Sequence, residues 1–220
     1  MSNSETVSPQ TPNRRDPATE LALDKICSEL AYRYDGVFSS GTVSRVVFES
    51  FDMLAAQSTV SDYLPLLTER FAQDRLLAVA QADGRVAKPT PEVLFLCVQN
   101  AGRSQMAAAF MHHLSNGRVH VRSAGSKPGG SVNATVAAAM AEVGVNLTEA
   151  FPKPMTDDVV QAADVIVTMG CGDSCPVYPG KRYLDWDLPD PAGLSLTEVR
   201  PIRDQIEHRV RDLLAAILPL

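Results

Sequence analysis

The chain has 220 residues, 45% of them hydrophobic, enough to bury one full core and a small second one. A formal net charge of -6 argues against general affinity for nucleic acid or anionic membranes. Four cysteines are too few for a secreted disulfide scaffold. With no signal peptide and no apolar run long enough to span a membrane, a reducing cytoplasm is the expected location.

Residues 1–18 are rich in Ser, Thr, Pro, Asn and Arg, with almost nothing apolar, and are expected to form a disordered tail. From Glu20 the pattern becomes helical, with Leu23, Ile26, Cys27, Leu30 and Tyr34 on one stripe. A second helix is predicted through Val43, Val46, Val47, Phe51 and Leu54, and a third through Leu66, Leu67, Arg70, Phe71, Leu76, Leu77 and Val79. Gly36, Gly41, Asp62 and Pro65 supply the breaks. Residues 19–82 are thus expected to be a three-helix module that docks or dimerises, followed by a linker over 83–91. A DNA-binding helix-turn-helix would need a basic recognition helix. The third helix balances Arg70 and Arg75 with Glu69 and Asp74, and the second has only Arg45, so nucleic acid is not an expected partner. Cys27, on the apolar stripe, reads as a core cysteine.

From Glu92 onward strands and helices alternate. Strands are predicted over 93–97, 119–123 and 165–169, and helices after Arg103, over 132–143 and over 198–218. The expected fold class is therefore a doubly wound parallel α/β sheet over 92–220, preceded by a small all-α domain. In such sheets the loops beyond the strand C-termini gather at one edge, so the loop after Met169 should lie beside the loop that starts at Cys97.

That first loop reads Cys97-Val98-Gln99-Asn100-Ala101-Gly102-Arg103-Ser104. Cysteine attacks well only as thiolate, and a helix N-terminus, an arginine or a hydroxyl donor can bring its pKa down from about 8.5. All three are written into these eight residues. The backbone from Val98 to Arg103 is a candidate oxyanion cradle: Gly102 lets it curl, and Arg103 can clamp two oxygens in a planar fork. A buried strand-end cysteine followed by an unrelated surface arginine is the rival reading. The position between a strand and an amphipathic helix, with Gly102 and Ser104, favours the nucleophile.

The second loop is Gly170-Cys171-Gly172-Asp173-Ser174-Cys175-Pro176. Zinc wants four ligands and no second Cys or His pair lies nearby, so no metal is expected. A thiol relay fits better, since glycines on both sides of Cys171 would let it swing toward Cys97. A third loop carries Asp185, Asp187 and Asp190. Asp190, stiffened by Pro191, is the candidate acid that protonates a leaving oxygen, a role worth about 10² to 10⁴ in rate.

These motifs, with Ser123-Ala124-Gly125-Ser126, Val167-Thr168-Met169-Gly170-Cys171 and Asp190-Pro191-Ala192-Gly193, resemble the low-molecular-weight protein tyrosine phosphatase family. Within it they are most similar to arsenate reductases of the thioredoxin-coupled and actinobacterial type. The amino-terminal helices look like a module found fused to such domains in actinobacteria. The resemblance implies Cys97 as nucleophile, Arg103 as oxyanion clamp, Ser104 as donor to the thiolate, Asn100 as loop-shaping residue and Asp190 as acid. Cys171 would attack the Cys97–arsenic adduct, expelling arsenite and leaving a Cys97–Cys171 disulfide, and Cys175 would pass the oxidation to an external reductant. The implied partners are arsenate, with phosphate or sulfate as analogues, and thioredoxin or a mycoredoxin-like carrier, and no cofactor is called for. The chain departs from the pattern in the closer spacing of its last two cysteines and in Ala108, where some relatives carry a Glu of a potassium site. The alternatives are phosphotyrosine hydrolysis without a relay, arsenate reduction through mycothiol without an internal disulfide, and a non-catalytic anion sensor. Ala192 and Gly193 stand where aromatic side chains wall the substrate ring in the phosphatase branch, which puts that alternative second.

Overall fold

The computed structural model describes residues 15–57, 63–170 and 176–218. Three helices come first: α1 (Pro17–Arg33), α2 (Ser40–Ala55) and α3 (Leu64–Ala82). The Asp16 carboxylate accepts from the amides of Ala18 and Thr19, so α1 starts just inside the stretch expected to be tail; residues 1–14 lie outside the described ones. Ser39 caps α2 by accepting from Thr42 N. Gly41 falls inside α2 and Pro65 in the first turn of α3, where a missing N–H is harmless, so neither is a break; Asp62 is outside the described residues.

Leu23, Ile26 and Leu30 of α1 meet Val43, Val47 and Phe51 of α2 and Phe71 and Leu76 of α3 in one core. The stripe expected on α3 is only partly the buried one. Leu66 is 55% exposed, while Thr68, Ala72, Arg75 and Ala78 are buried. The reason is that α3 has the module's core on one side and a sheet on another.

That sheet contains β1 (Glu92–Cys97), β2 (His120–Gly125), β3 (Val165–Met169) and β4 (Arg182–Asp185), all parallel, in the order β2-β1-β3-β4. Around it run α4 (Arg103–Ser115), α5 (Ala134–Ala141), α6 (Asp157–Ala162) and α7 (Leu196–Ile217). Alternation along β1 divides the packing. Val93, Phe95 and Cys97 join Met106, Val136, Met140 and Ile206 in one core. Leu94 and Leu96 join Ala78 of α3 with Val159 and Val160 of α6 in another. The doubly wound parallel sheet preceded by helices is thus the architecture; β4 and α6 were not anticipated.

The module docks through charge as well as packing. Arg75 reaches from α3 to Asp158 at 2.8 Å and to Ser50 at 3.1 Å. Arg122 of β2 bonds Asp74 at 2.8 Å, Gln81 at 3.2 Å and the buried Glu92. Burial alone would raise the Asp74 carboxyl; the approach of His120 and the charges of Arg122 and Lys153 outweigh it and hold the group below its ordinary value. Phe151, from the α/β part, completes the module's own core.

Candidate active site

The loop between β1 and α4 is shaped by what its neighbours take from it. The carbonyls of Cys97, Val98, Gln99 and Ala101 accept from the amides of Ser126, Lys127, Gly129 and Asn133 at 2.8–3.2 Å, so the 126–133 segment fixes the outer side of the loop. Gly125 begins that segment. A Cβ there would lie 2.7 Å from Val98 O, so only glycine permits the approach.

Inside the loop, Asn100 adopts φ +48°, a left-handed conformation that Asn tolerates better than most residues. Its Oδ1 accepts from Lys153 N at 2.9 Å and from Gln105 Nε2 at 3.1 Å, which leaves Nδ2 to donate to Ser104 Oγ at 2.8 Å. Ser104 Oγ lies 2.9 Å from Cys97 Sγ, where its hydroxyl donates whenever the sulfur is a thiolate. Asn100 N also donates to Sγ, at 3.2 Å. The sulfur therefore faces Ser104 Oγ and Asn100 N at the N-terminus of α4.

Gln105 was not among the residues picked out from the sequence. It is buried, and its Nε2 also bonds Asn100 O at 3.0 Å and Phe151 O at 2.9 Å. The available signal was its place as the third residue of α4, where Gln reaches back over a helix start.

Arg103 opens α4 with its guanidinium nearly buried. Nη1 donates to Leu188 O at 3.2 Å and Nη2 to Asp190 Oδ2 at 3.1 Å. The other oxygen of Asp190 accepts from Ala192 N at 3.1 Å. Of the three carboxylates in this stretch only Asp190 meets Arg103; Asp185 takes Thr168 Oγ1 at 2.5 Å, and Asp187 is exposed. Gly102 brings the two loops together, since a Cβ on it would be 2.7 Å from Pro191 Cγ. Cys97, Asn100, Gly102, Arg103, Ser104 and Asp190 are thus one cluster.

Cys171 and Cys175 lie outside the described residues, so the expected relay does too. What the structure places is the chain leading to them. β1 and β3 pair in register with Cys97 opposite Met169, and Gly170, at φ +73°, packs on Arg103 so closely that a Cβ would be 3.1 Å from Nη1.

The family model described as "Protein-tyrosine-phosphatase-like, N-terminal domain" matches residues 23–80. The one described as "Low molecular weight phosphotyrosine protein phosphatase" matches residues 92–218. The solved structure of the Corynebacterium glutamicum thioredoxin-dependent arsenate reductase is 48% identical with a TM-score of 0.80, over 89% of this chain and 95% of that one. A putative arsenate reductase of Halobacterium salinarum is 38% identical over 132 residues, 58% of this chain and 93% of that protein. A glutaredoxin arsenate reductase of Synechocystis is 35% identical over 129 residues, 57% of this chain and 98% of that protein.

Proposed function

The chain belongs to the low molecular weight phosphotyrosine protein phosphatase family, and from that premise we propose that it reduces arsenate to arsenite. The Cys97 thiolate attacks arsenic while Arg103 and the loop from Val98 to Gly102 hold the oxyanion and Asp190 protonates the departing oxygen, which leaves as water. Cys171 then attacks Cys97 Sγ. A sulfur–sulfur bond forms, the sulfur–arsenic bond breaks, and its electron pair stays on arsenic, which leaves as arsenite. Cys175 moves the disulfide outward for a dithiol carrier of the thioredoxin type to reduce.

The observation that carries this reading over simple ester hydrolysis is the strand register. Cys97 stands opposite Met169, and Cys171 follows Met169 by two residues in the sequence, so the chain carries a second thiol that ester hydrolysis does not need. The chemistry needs its thiols reduced, which fits the cytoplasm. A homodimer fits the exposed Leu21 and Tyr32 of α1, and sedimentation of the full chain as a monomer would exclude it.

The test is arsenate turnover by the purified chain with thioredoxin and with a glutaredoxin-like carrier in turn, beside a chromogenic phosphate ester. Cys97→Ser should abolish both activities, since both begin at one sulfur. With no external reductant, one equivalent of arsenate should give one arsenite and one internal disulfide. Cys171→Ser should stop that turnover and spare ester hydrolysis. Accumulation of Cys97 as a mixed disulfide with a small thiol, with Cys171→Ser fully active in that thiol, would replace the relay by thiol transfer.

A further inference from the structure

A cavity of about 720 Å³ opens where α4, β2 and the 144–153 loop meet Arg70 of α3; neither Cys97 nor Arg103 lines it. Ala108, Val121 and Leu147 give it apolar walls, and its size suits a small organic ligand better than a bare ion. Two cations face one aromatic ring in it. Lys153 Nζ lies 4.6 Å and Arg70 Cζ 5.4 Å from the Phe151 centroid.

Neither cation has a tight ion pair, although Asp74 acts on Lys153 at longer range. Among the described residues Lys153 Nζ makes no ion pair or hydrogen bond, and Arg70 has only a 3.6 Å pair with Glu149, whose side chain is 88% exposed. Burial, opposed by Asp74 and reinforced by Arg70, lowers the Lys153 ammonium pKa, and an anion beside it would relieve that strain.

The cavity also touches the hydrogen-bond chain behind the nucleophile. Lys153 N and Gln105 Nε2 both hold Asn100 Oδ1, and Asn100 in turn aims Ser104 at Cys97. Arg70 comes from the amino-terminal module and the other walls from the α/β part, so this cavity exists only where the two join.

We propose that the cavity is a second anion site, taking a small phosphate monoester whose charged group lies at Lys153 and Arg70 and whose apolar body lies along the walls, and that its occupancy is felt at the Cys97 loop. The paired cations select a dianion, and the apolar walls select against inorganic phosphate, which could not fill them. Because binding linkage is reciprocal, a ligand that shifts Asn100 must change the affinity of the loop for an oxyanion, and the oxyanion must change that of the ligand by the same factor.

The experiment is calorimetric titration of the full chain with phenylphosphonate, a non-hydrolysable aromatic dianion, with and without excess inorganic phosphate. The expected result is one equivalent bound when excess inorganic phosphate occupies the Cys97 loop and a second equivalent, on that loop, when it does not; the first is weakened at least about tenfold by Arg70→Met and by Lys153→Met, with thermal unfolding of each variant as the check on folding. Ala109→Phe, which fills the cavity and leaves both cations, should cause the same loss. Inorganic phosphate titrated with phenylphosphonate present should show at least about a threefold change in Kd that Arg70→Met removes, whereas simple competition at the Cys97 loop would survive that variant. This last readout rests on the loop's binding of oxyanions, which is measured separately: Arg103→Met should lose inorganic phosphate and keep phenylphosphonate. Abolition of phenylphosphonate binding by excess phosphate, folded variants that titrate like the parent, or a phosphate Kd that does not move would each overturn the proposal.

Discussion

Asp190 is held by one carboxylate oxygen on Arg103 and by the other on its own turn at Ala192. In the proposed reaction its work as an acid develops only as the leaving oxygen departs. Asp190→Asn is therefore expected to lower kcat by about 10² while leaving the Kd of inorganic phosphate little changed. Asp187→Asn is the control, and a larger effect there would identify the wrong carboxylate. A second prediction concerns the contact that unites the two loops. In Gly102→Ala the new methyl meets Pro191 Cγ, a ring atom with little freedom to yield, and pushes the loop carrying Asp190 away. A fall in kcat of tenfold or more is expected, with about 1–2 kcal/mol of stability lost to overpacking. Gly129→Ala in the neighbouring 126–133 segment meets nothing nearer than 3.7 Å and should behave as the parent. At this scale the sequence was most legible where the chemistry is contiguous. Cys97, Arg103 and Ser104 announce themselves within eight residues, whereas Gln105 looks like any polar residue of an amphipathic helix until its three acceptors are seen.

Among the elements, α3 shows why periodicity succeeds or fails. α1 and α2 bury one stripe each, and their stripes were readable. α3 is covered on more than one side, with Arg75 and Thr68 buried beside Phe71, so no single stripe describes it. β4 was missed because it is a four-residue edge strand with exposed ends, and α6 because six residues are too few for a helical period. The joint that α3 makes with β2 has a pH signature. Asp74 is held ionised below its ordinary value, so its contribution to stability is present above about pH 4 and is lost as pH falls through the lowered folded value. Asp74→Asn should remove about 2 kcal/mol at neutral pH, where the parent's charge-assisted bond to Arg122 is intact. Chemical denaturation of both proteins should give curves that converge on acidification; a constant gap down to pH 2 would mean that Asp74 acts through packing instead.

For the molecule as a whole, the module had two expected fates, self-association or packing on the α/β part, and the structure shows the packing. Ala78 sits against the face of the sheet that carries Leu94, Leu96 and Ile166, and Phe151 is shared with the module's core. A single cooperative thermal transition is therefore expected of the full chain. Removal of residues 1–85 should lower the midpoint and raise the binding of a fluorescent hydrophobic dye, and two separate transitions in the full chain would show that the parts are thermally independent. Chain order gives the same joint a meaning in time. The contacts within the module are local, and the module leaves the ribosome ahead of every strand. β1 follows the whole of the module in the chain, so the α3 residue Ala78 that covers Leu94 and Leu96 is made before them, and before the distant residues of β3. A parallel sheet, whose pairings must wait for long crossovers, thus has a cover for one face encoded ahead of its first strand, and loss of residues 1–85 should show as greater aggregation during refolding.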